Sequence, residues 1–131
     1  MSRILLVEDD ASFRESMYKV LTRAGHDVQE ASNGRVALQQ LHDHPADVVI
    51  TDIVMPEQEG LETIIRLRRT NPHVKVIAIS GGGSINAVDY LRTAKKLGAL
   101  ATLAKPFSRQ EILTAIEQVL ALPDGAGAKS Q

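Results

Sequence analysis

Five side chains in this sequence are of the kinds needed to take up a phosphoryl group: the acids Glu8, Asp9 and Asp52, the hydroxyl of Ser80 and the amine of Lys105. A carboxylate can act as a nucleophile toward phosphorus and give an aspartyl phosphate. Such a transfer needs little covalent help, but its equatorial oxygens need charge compensation and positioning. Carboxylates crowded in a dry crevice repel each other by on the order of 4 kcal/mol per pair at 4 Å, and a cation relieves that. Oxygen-only ligands with no His or Cys nearby suit a hard ion such as Mg²⁺, which takes one or two carboxylates and keeps waters that a phosphate can replace. On this reading Asp52 accepts the phosphoryl group and Glu8 and Asp9 hold the ion. Lys105 pairs with one phosphoryl oxygen and Ser80 donates a hydrogen bond to another.

What must position these groups is a set of strand ends. Val48-Val49-Ile50 reads as a strand buried on both faces, and it runs into Thr51 and then Asp52. Ile4-Leu5-Leu6-Val7 is a second such run and ends in Glu8, Asp9 and Asp10; Val74 to Ile79 leads to Ser80, and Ala101 to Ala104 leads to Lys105. Asp27 to Ala31 alternates and carries two charges, which predicts a strand at the sheet edge.

Helical patterns separate the strands. Asp10 is placed to cap a helix bearing Phe13, Met17, Val20, Leu21 and Ala24, which Gly25 ends. Asn33-Gly34 opens a helix with Val36, Ala37, Leu38 and Leu41, and His42-Asp43-His44-Pro45 breaks it. Pro56 stops the central strand pattern, and Gly60 is expected to make a tight turn ahead of a helix with Leu61, Ile64, Ile65 and Leu67. Ile85 to Leu97 reads as the fourth helix, with Ala87, Val88, Leu91 and Ala94 inward and Gly98 as its stop. Ser108 and Glu111 form an S-x-x-E capping box for the fifth, which Pro123 ends.

Strand then helix, five times over, requires parallel strands joined by right-handed crossovers with helices on both faces. The expected class is α/β, a doubly wound five-stranded parallel sheet. All carboxyl ends then meet at one edge, where ligands bind in open α/β sheets. Singly, each group has a plainer explanation: the acids as a capping cluster, Asp52 and Ser80 as turn formers, Lys105 as a solvated charge. Their meeting on one edge favours the chemical one.

Bulk properties narrow the rest. With 131 residues, 44% hydrophobic and 24% charged, the chain fits one globular domain, expected over residues 1–122 with a flexible tail at 123–131. A net charge of −1 gives no electrostatic footprint for nucleic acid, and no apolar run is long enough to cross a bilayer. The absence of cysteine removes disulfides and thiolate chemistry, and 3% aromatics disfavours stacking platforms. Met1-Ser2-Arg3 lacks a signal-peptide layout, so a cytoplasmic location is expected. Arg66, Arg68 and Arg69 are read as a solvated helix face, and His42 and His44 as loop residues.

The chain resembles the receiver domain of two-component response regulators from residue 3 to about 121. The resemblance is carried by Leu6-Val7-Glu8-Asp9-Asp10, by Asp52-Ile53-Val54-Met55-Pro56 with Gly60, by Ser80, and by Lys105-Pro106-Phe107. It implies a flavodoxin-like strand order 2-1-3-4-5. Asp52 would take phosphate from a histidine kinase or phosphotransfer protein, in a reaction dependent on Mg²⁺ bound by Glu8, Asp9, Asp52 and the backbone carbonyl of Val54. It also implies a cis Lys105–Pro106 bond, and a switch in which Ser80 and Lys105 move toward the phosphoryl group. The face made by the fourth helix, fifth strand and fifth helix then changes its affinity for a downstream protein, with no direct DNA binding and no membrane partner.

Two departures bear on the switch. Thr102 stands where the family usually has an aromatic, and Gly81-Gly82-Gly83 lengthens the serine-to-lysine spacing, which makes that loop a candidate mobile element. Other classes fit less well. A phosphohydrolase using an aspartyl intermediate would want a second acid two residues after Asp52, where this chain has Val54. Val54 and Gly82 also predict slow loss of phosphate from Asp52. A nucleotide- or flavin-binding domain would carry its glycine-rich cradle after the first strand, where acids stand instead. A phosphate-independent receiver would usually have lost an acid or the lysine.

Overall fold

The structure, a computed structural model, describes residues 2–53, 59–81 and 87–123. Strands and helices alternate: β1 (Arg3–Val7), α1 (Ala11–Arg23), β2 (Asp27–Ala31), α2 (Gly34–Asp43), β3 (Val48–Asp52), α3 (Glu59–Thr70), β4 (Lys75–Ser80), α4 (Ala87–Lys96), β5 (Ala101–Ala104) and α5 (Arg109–Leu120). The strands form one parallel sheet in the order β2-β1-β3-β4-β5. The strand β2 lies at the edge, as its two charges predicted.

The central strands are apolar on both faces because both are covered. Leu5, Val7, Val49, Val76 and Ala78 pack with Ala37, Leu41, Ile64, Leu67 and Ala94 on the side of α2, α3 and α4. Ile4, Leu6, Val48, Ile50, Ile77 and Ile79 pack with Met17, Leu21, Ile112, Ile116 and Val119 on the side of α1 and α5. Each large side chain so buried contributes roughly 1.5–3 kcal/mol. The alternation has a consequence beyond packing. Val48 and Ile50 face α1 and α5, so Asp52 does too; Ile4 and Leu6 carry Glu8 to that same side, whereas Ser80 follows Ala78 to the other.

The helix ends follow their local signals. Asp10 accepts from the amides of Ser12 and Phe13, Asn33 from that of Val36, and Ser108 and Glu111 form the complete capping box. Gly25 and Gly98 take positive φ of 97° and 120° beyond α1 and α4. Of the fourth-helix residues, Ile85 lies outside those described, as does the tail from 124.

Two expectations need correction. Gly60 does not form a turn before α3; the helix already runs through it. Its role is close approach, because a Cβ there would collide with the Ile53 Cα and lie 2.7 Å from the Asp52 carbonyl oxygen. Arg68 is not part of a solvated face. Helical rotation turns it inward, away from exposed Arg66 and Arg69, and its guanidinium donates to the Val74 carbonyl at 2.6 Å and the Pro72 carbonyl at 2.7 Å. At the same end of the molecule, buried Lys75 donates to the carbonyls of Leu120 and Leu122 (3.2 and 2.6 Å), securing the end of α5.

Alanine at Gly60 should improve helix propensity by about 1 kcal/mol, yet the collision with backbone outweighs that. We expect Gly60→Ala to lose about 3 kcal/mol of unfolding free energy by urea titration, as overpacked sites do. Gly81→Ala, which points into open space, should change it by less than about 0.5 kcal/mol.

Candidate functional site

Backbone hydrogen bonds lock the strand exits together at the carboxyl edge. The Glu8 amide donates to Ala31, the Ile53 amide to Ile79 and the Lys105 amide to Ser80, at 3.0, 2.9 and 2.7 Å. Asp52 is opposite Ile79 and Ser80 opposite Ala104 in the ladder. Four non-contiguous segments are therefore held within reach of one point. The Lys105–Pro106 bond is cis.

Glu8, Asp52 and Ser80 are buried, while Asp9 is exposed. The Lys105 ammonium lies 2.9 Å from Glu8 Oε1 and 2.9 Å from Asp52 Oδ2, so one cation bridges two buried acids. The other Glu8 oxygen, Oε2, accepts from the Asp10 amide at 3.1 Å, and Arg14 Nη1 donates to the Glu8 carbonyl at 2.7 Å while its Nε approaches Glu30 at 3.5 Å. Burial pushes the Glu8 carboxyl up to about 7, against the pull of Lys105 and of the Asp10 amide, with the Asp52 charge adding to the rise. Burial also works against the charge on Lys105, but the hydrogen bonds and charges of Asp52 and Glu8 outweigh it and hold the ammonium above its ordinary value.

The donor set fits a hard divalent ion. One carboxylate oxygen from each of Glu8, Asp9 and Asp52 lies within 4.8 Å of the others, and one of the three acids is exposed. The buried Ser80 hydroxyl has no hydrogen-bond partner among the described residues, which leaves its donor for an incoming acceptor. The structure thus brings together Glu8, Asp9, Asp52 and Lys105, with Ser80 at the neighbouring strand end, where its backbone carbonyl accepts from the Lys105 amide. Val54, Gly82 and Gly83 lie outside the described residues. Thr102 sits apart on β5, opposite Ala78 and bordering a hollow of about 340 Å³ against α5. A hollow of about 400 Å³ at the opposite edge, lined by Pro45, Asp47, His73 and Lys75, lies far from this cluster.

Sequence reasoning gave Arg14 no role, took Phe13 for a core residue, and quoted Phe107 only as part of the Lys105-Pro106-Phe107 motif. Phe13 lies under the ammonium, with Nζ 4.0 Å from its ring centroid, and Phe107 meets Phe13 edge-on at 5.9 Å and 89°. Phe13 falls on the apolar period of α1 and reads as ordinary core. Only the fold shows that the first turn of α1 faces Lys105.

The Glu8 shift predicts a pH effect on stability in chelator. A carboxyl that titrates near 4.5 unfolded and near 7 folded binds more protons in the folded state between those values. Its burial penalty is absent below 4.5 and fully present above about 7. Glu8→Gln should therefore raise Tm at pH 8, with the advantage shrinking as pH falls through about 7 toward 5. An equal Tm difference at both pH values would contradict it.

The comparisons with known proteins agree with the geometry. The family model described as the response regulator receiver domain matches residues 4–117. The response regulator receiver protein CpdR of Brucella abortus is 36% identical over 123 residues, covering 92% of this chain and 98% of that protein. The chemotaxis protein CheY of Thermotoga maritima is 35% identical over 121 residues, covering 91% and 98%. The crystal structure of the receiver domain of NtrX from Brucella abortus matches with a TM-score of 0.85 at 26% identity, over 92% of this chain and 99% of that one. By its sheet, its acid–lysine cluster and these relatives, the chain belongs to the response regulator receiver domain family of two-component systems.

Proposed function

We propose that Asp52 is the phosphoacceptor of a Mg²⁺-dependent phosphorelay, receiving its phosphoryl group from a histidine kinase or phosphotransfer protein. The observation that carries this is the buried Asp52 carboxylate at a strand end, 2.9 Å from the Lys105 ammonium and clustered with the Glu8 and Asp9 oxygens. In the transfer an Asp52 oxygen attacks phosphorus, the P–N bond to the donor imidazole breaks, and the imidazole leaves with that electron pair. Glu8, Asp9, Asp52 and the Val54 carbonyl would hold the ion, which supplies charge compensation for the phosphoryl oxygens when bound. Lys105, already at the acceptor carboxylate, pairs with a second phosphoryl oxygen, and the Ser80 hydroxyl donates to a third.

Phosphorylation converts a carboxylate bridged by one lysine into a larger anion that draws Ser80 and Lys105 from opposite faces of the sheet. Those residues sit at the ends of β4 and β5, so their movement is felt on the surface made by α4, β5 and α5. We place the downstream protein partner there, with Ser80, Gly81, Gly82, Gly83, Thr102 and Lys105 forming the switch. Thr102 borders a hollow beside α5, and with no ring at that position the family's aromatic rotation forms no part of this switch. The chain acts through protein binding, without turnover of an external substrate, DNA contact or membrane attachment, in the cytoplasm.

The test is intact mass after incubation with a small phosphodonor, with and without Mg²⁺, for the native chain and Asp52→Asn. The expected outcome is one added phosphoryl group that requires Mg²⁺ and is lost in the variant. No gain in the native chain would overturn the reading.

A further inference from the structure

Lys105 faces a problem that its two salt bridges do not solve. Before transfer its ammonium is held by Glu8 and Asp52, each at 2.9 Å. Transfer turns the Asp52 carboxylate into an acyl phosphate, so a phosphoryl oxygen has to take the place of one of those partners. A lysine ends in a compact charge on a flexible four-carbon stem, and a single remaining carboxylate, Glu8, fixes that charge from one side only. Besides the Glu8 salt bridge, one further described contact of Lys105 does not depend on the state of Asp52. The ring of Phe13 lies beneath the ammonium, 4.0 Å from Nζ to the centroid, within the range where the negative ring face attracts a cation.

The ring is itself held on two sides. The Phe13 amide donates to the Asp10 side chain that caps α1 at 3.1 Å, which fixes the backbone at the first turn. Phe107, two residues beyond Lys105, presses edge-on against the ring at 5.9 Å and 89°. The β5–α5 connection thus grips Phe13 with Lys105 on its face and Phe107 against it. Phe13 is half-buried, whereas Met17 and Leu21 on the same helix are fully enclosed. Its ring lies at the margin of the core, beside the charge.

We propose that Phe13 is a positioning residue for phosphoryl transfer, seating the Lys105 ammonium before and after Asp52 is modified. This rests on the receiver reading above. The ring forms no bond to phosphorus and moves no proton. It keeps the cation beside the position of the phosphoryl oxygens while its anionic partner changes.

The test replaces Phe13 with mono-, di- and trifluorinated phenylalanines, which keep its shape while weakening the negative ring face, and with Leu, which removes the face. The readouts are the rate of phosphorylation by a small donor at saturating Mg²⁺, and Tm. The rate should fall stepwise with fluorination at unchanged Tm, and about tenfold in Phe13→Leu, the size of a partly desolvated cation–π contact. In a Lys105→Met background the steps should vanish. A flat series in a chain that is phosphorylated would overturn the proposal, since shape alone would then explain the ring. If the native chain takes up no phosphoryl group, the receiver reading falls instead. The seat is then read from the Lys105 ε-methylene protons by NMR: an upfield shift lost in Phe13→Leu supports it, and no difference between the two overturns it.

Discussion

Two carboxyl groups buried side by side cannot both be ionised without help, and the architecture of this edge follows from that. Glu8 and Asp52 come from neighbouring strands and point to the same face of the sheet, where water cannot solvate them. Lys105 arrives from the far side of β4 and bridges both. The arrangement is an electrostatic compromise, because Glu8 still binds a proton more readily than an exposed acid. Two acids so uncomfortable beside a single lysine favour a further cation that relieves them. Here, the discomfort is the basis of recognition.

The fold supplies the stiffness that such a site requires. Groups from four segments meet, and their spacing is set by ladder hydrogen bonds that continue into the site through the amides of Glu8, Ile53 and Lys105. Gly60 lets α3 lie directly on the end of β3, so the strand that presents Asp52 is backed by helix backbone. At the opposite edge Arg68 and Lys75 cap carbonyls that the ends of β4 and α5 would otherwise leave unsatisfied.

Much of this was legible in the sequence because the information was local. Apolar runs that stop at Glu8, Asp52, Ser80 and Lys105 mark strand exits, and parallel topology gathers exits at one edge. The caps at Asp10, Asn33 and Ser108 were readable for the same reason. What escaped depended on contacts between distant segments. Gly60 looked like a turn because its close neighbours, Ile53 and Asp52, are seven and eight positions away. Arg68 looked solvated because only α3 packing decides which of three arginines turns inward. Phe13 obeyed the helical period, and no local pattern says that a period residue in the first turn meets a lysine 92 positions later.

The alternation of side chains along β1 and β3 imposes a rule on how this chain can vary in length. Glu8 and Asp52 share a face only because each stands an even number of positions beyond Ile4, Leu6, Val48 and Ile50. Inserting or deleting a single residue within either strand would hand its acid to the face covered by α2, α3 and α4, on the other side of the sheet from its partner and from Lys105. A two-residue change would restore the face while displacing the acid along the strand by about 7 Å. The parity of these two strands is therefore as necessary to the site as the acids themselves, and loops, not strands, are where the chain has freedom to lengthen.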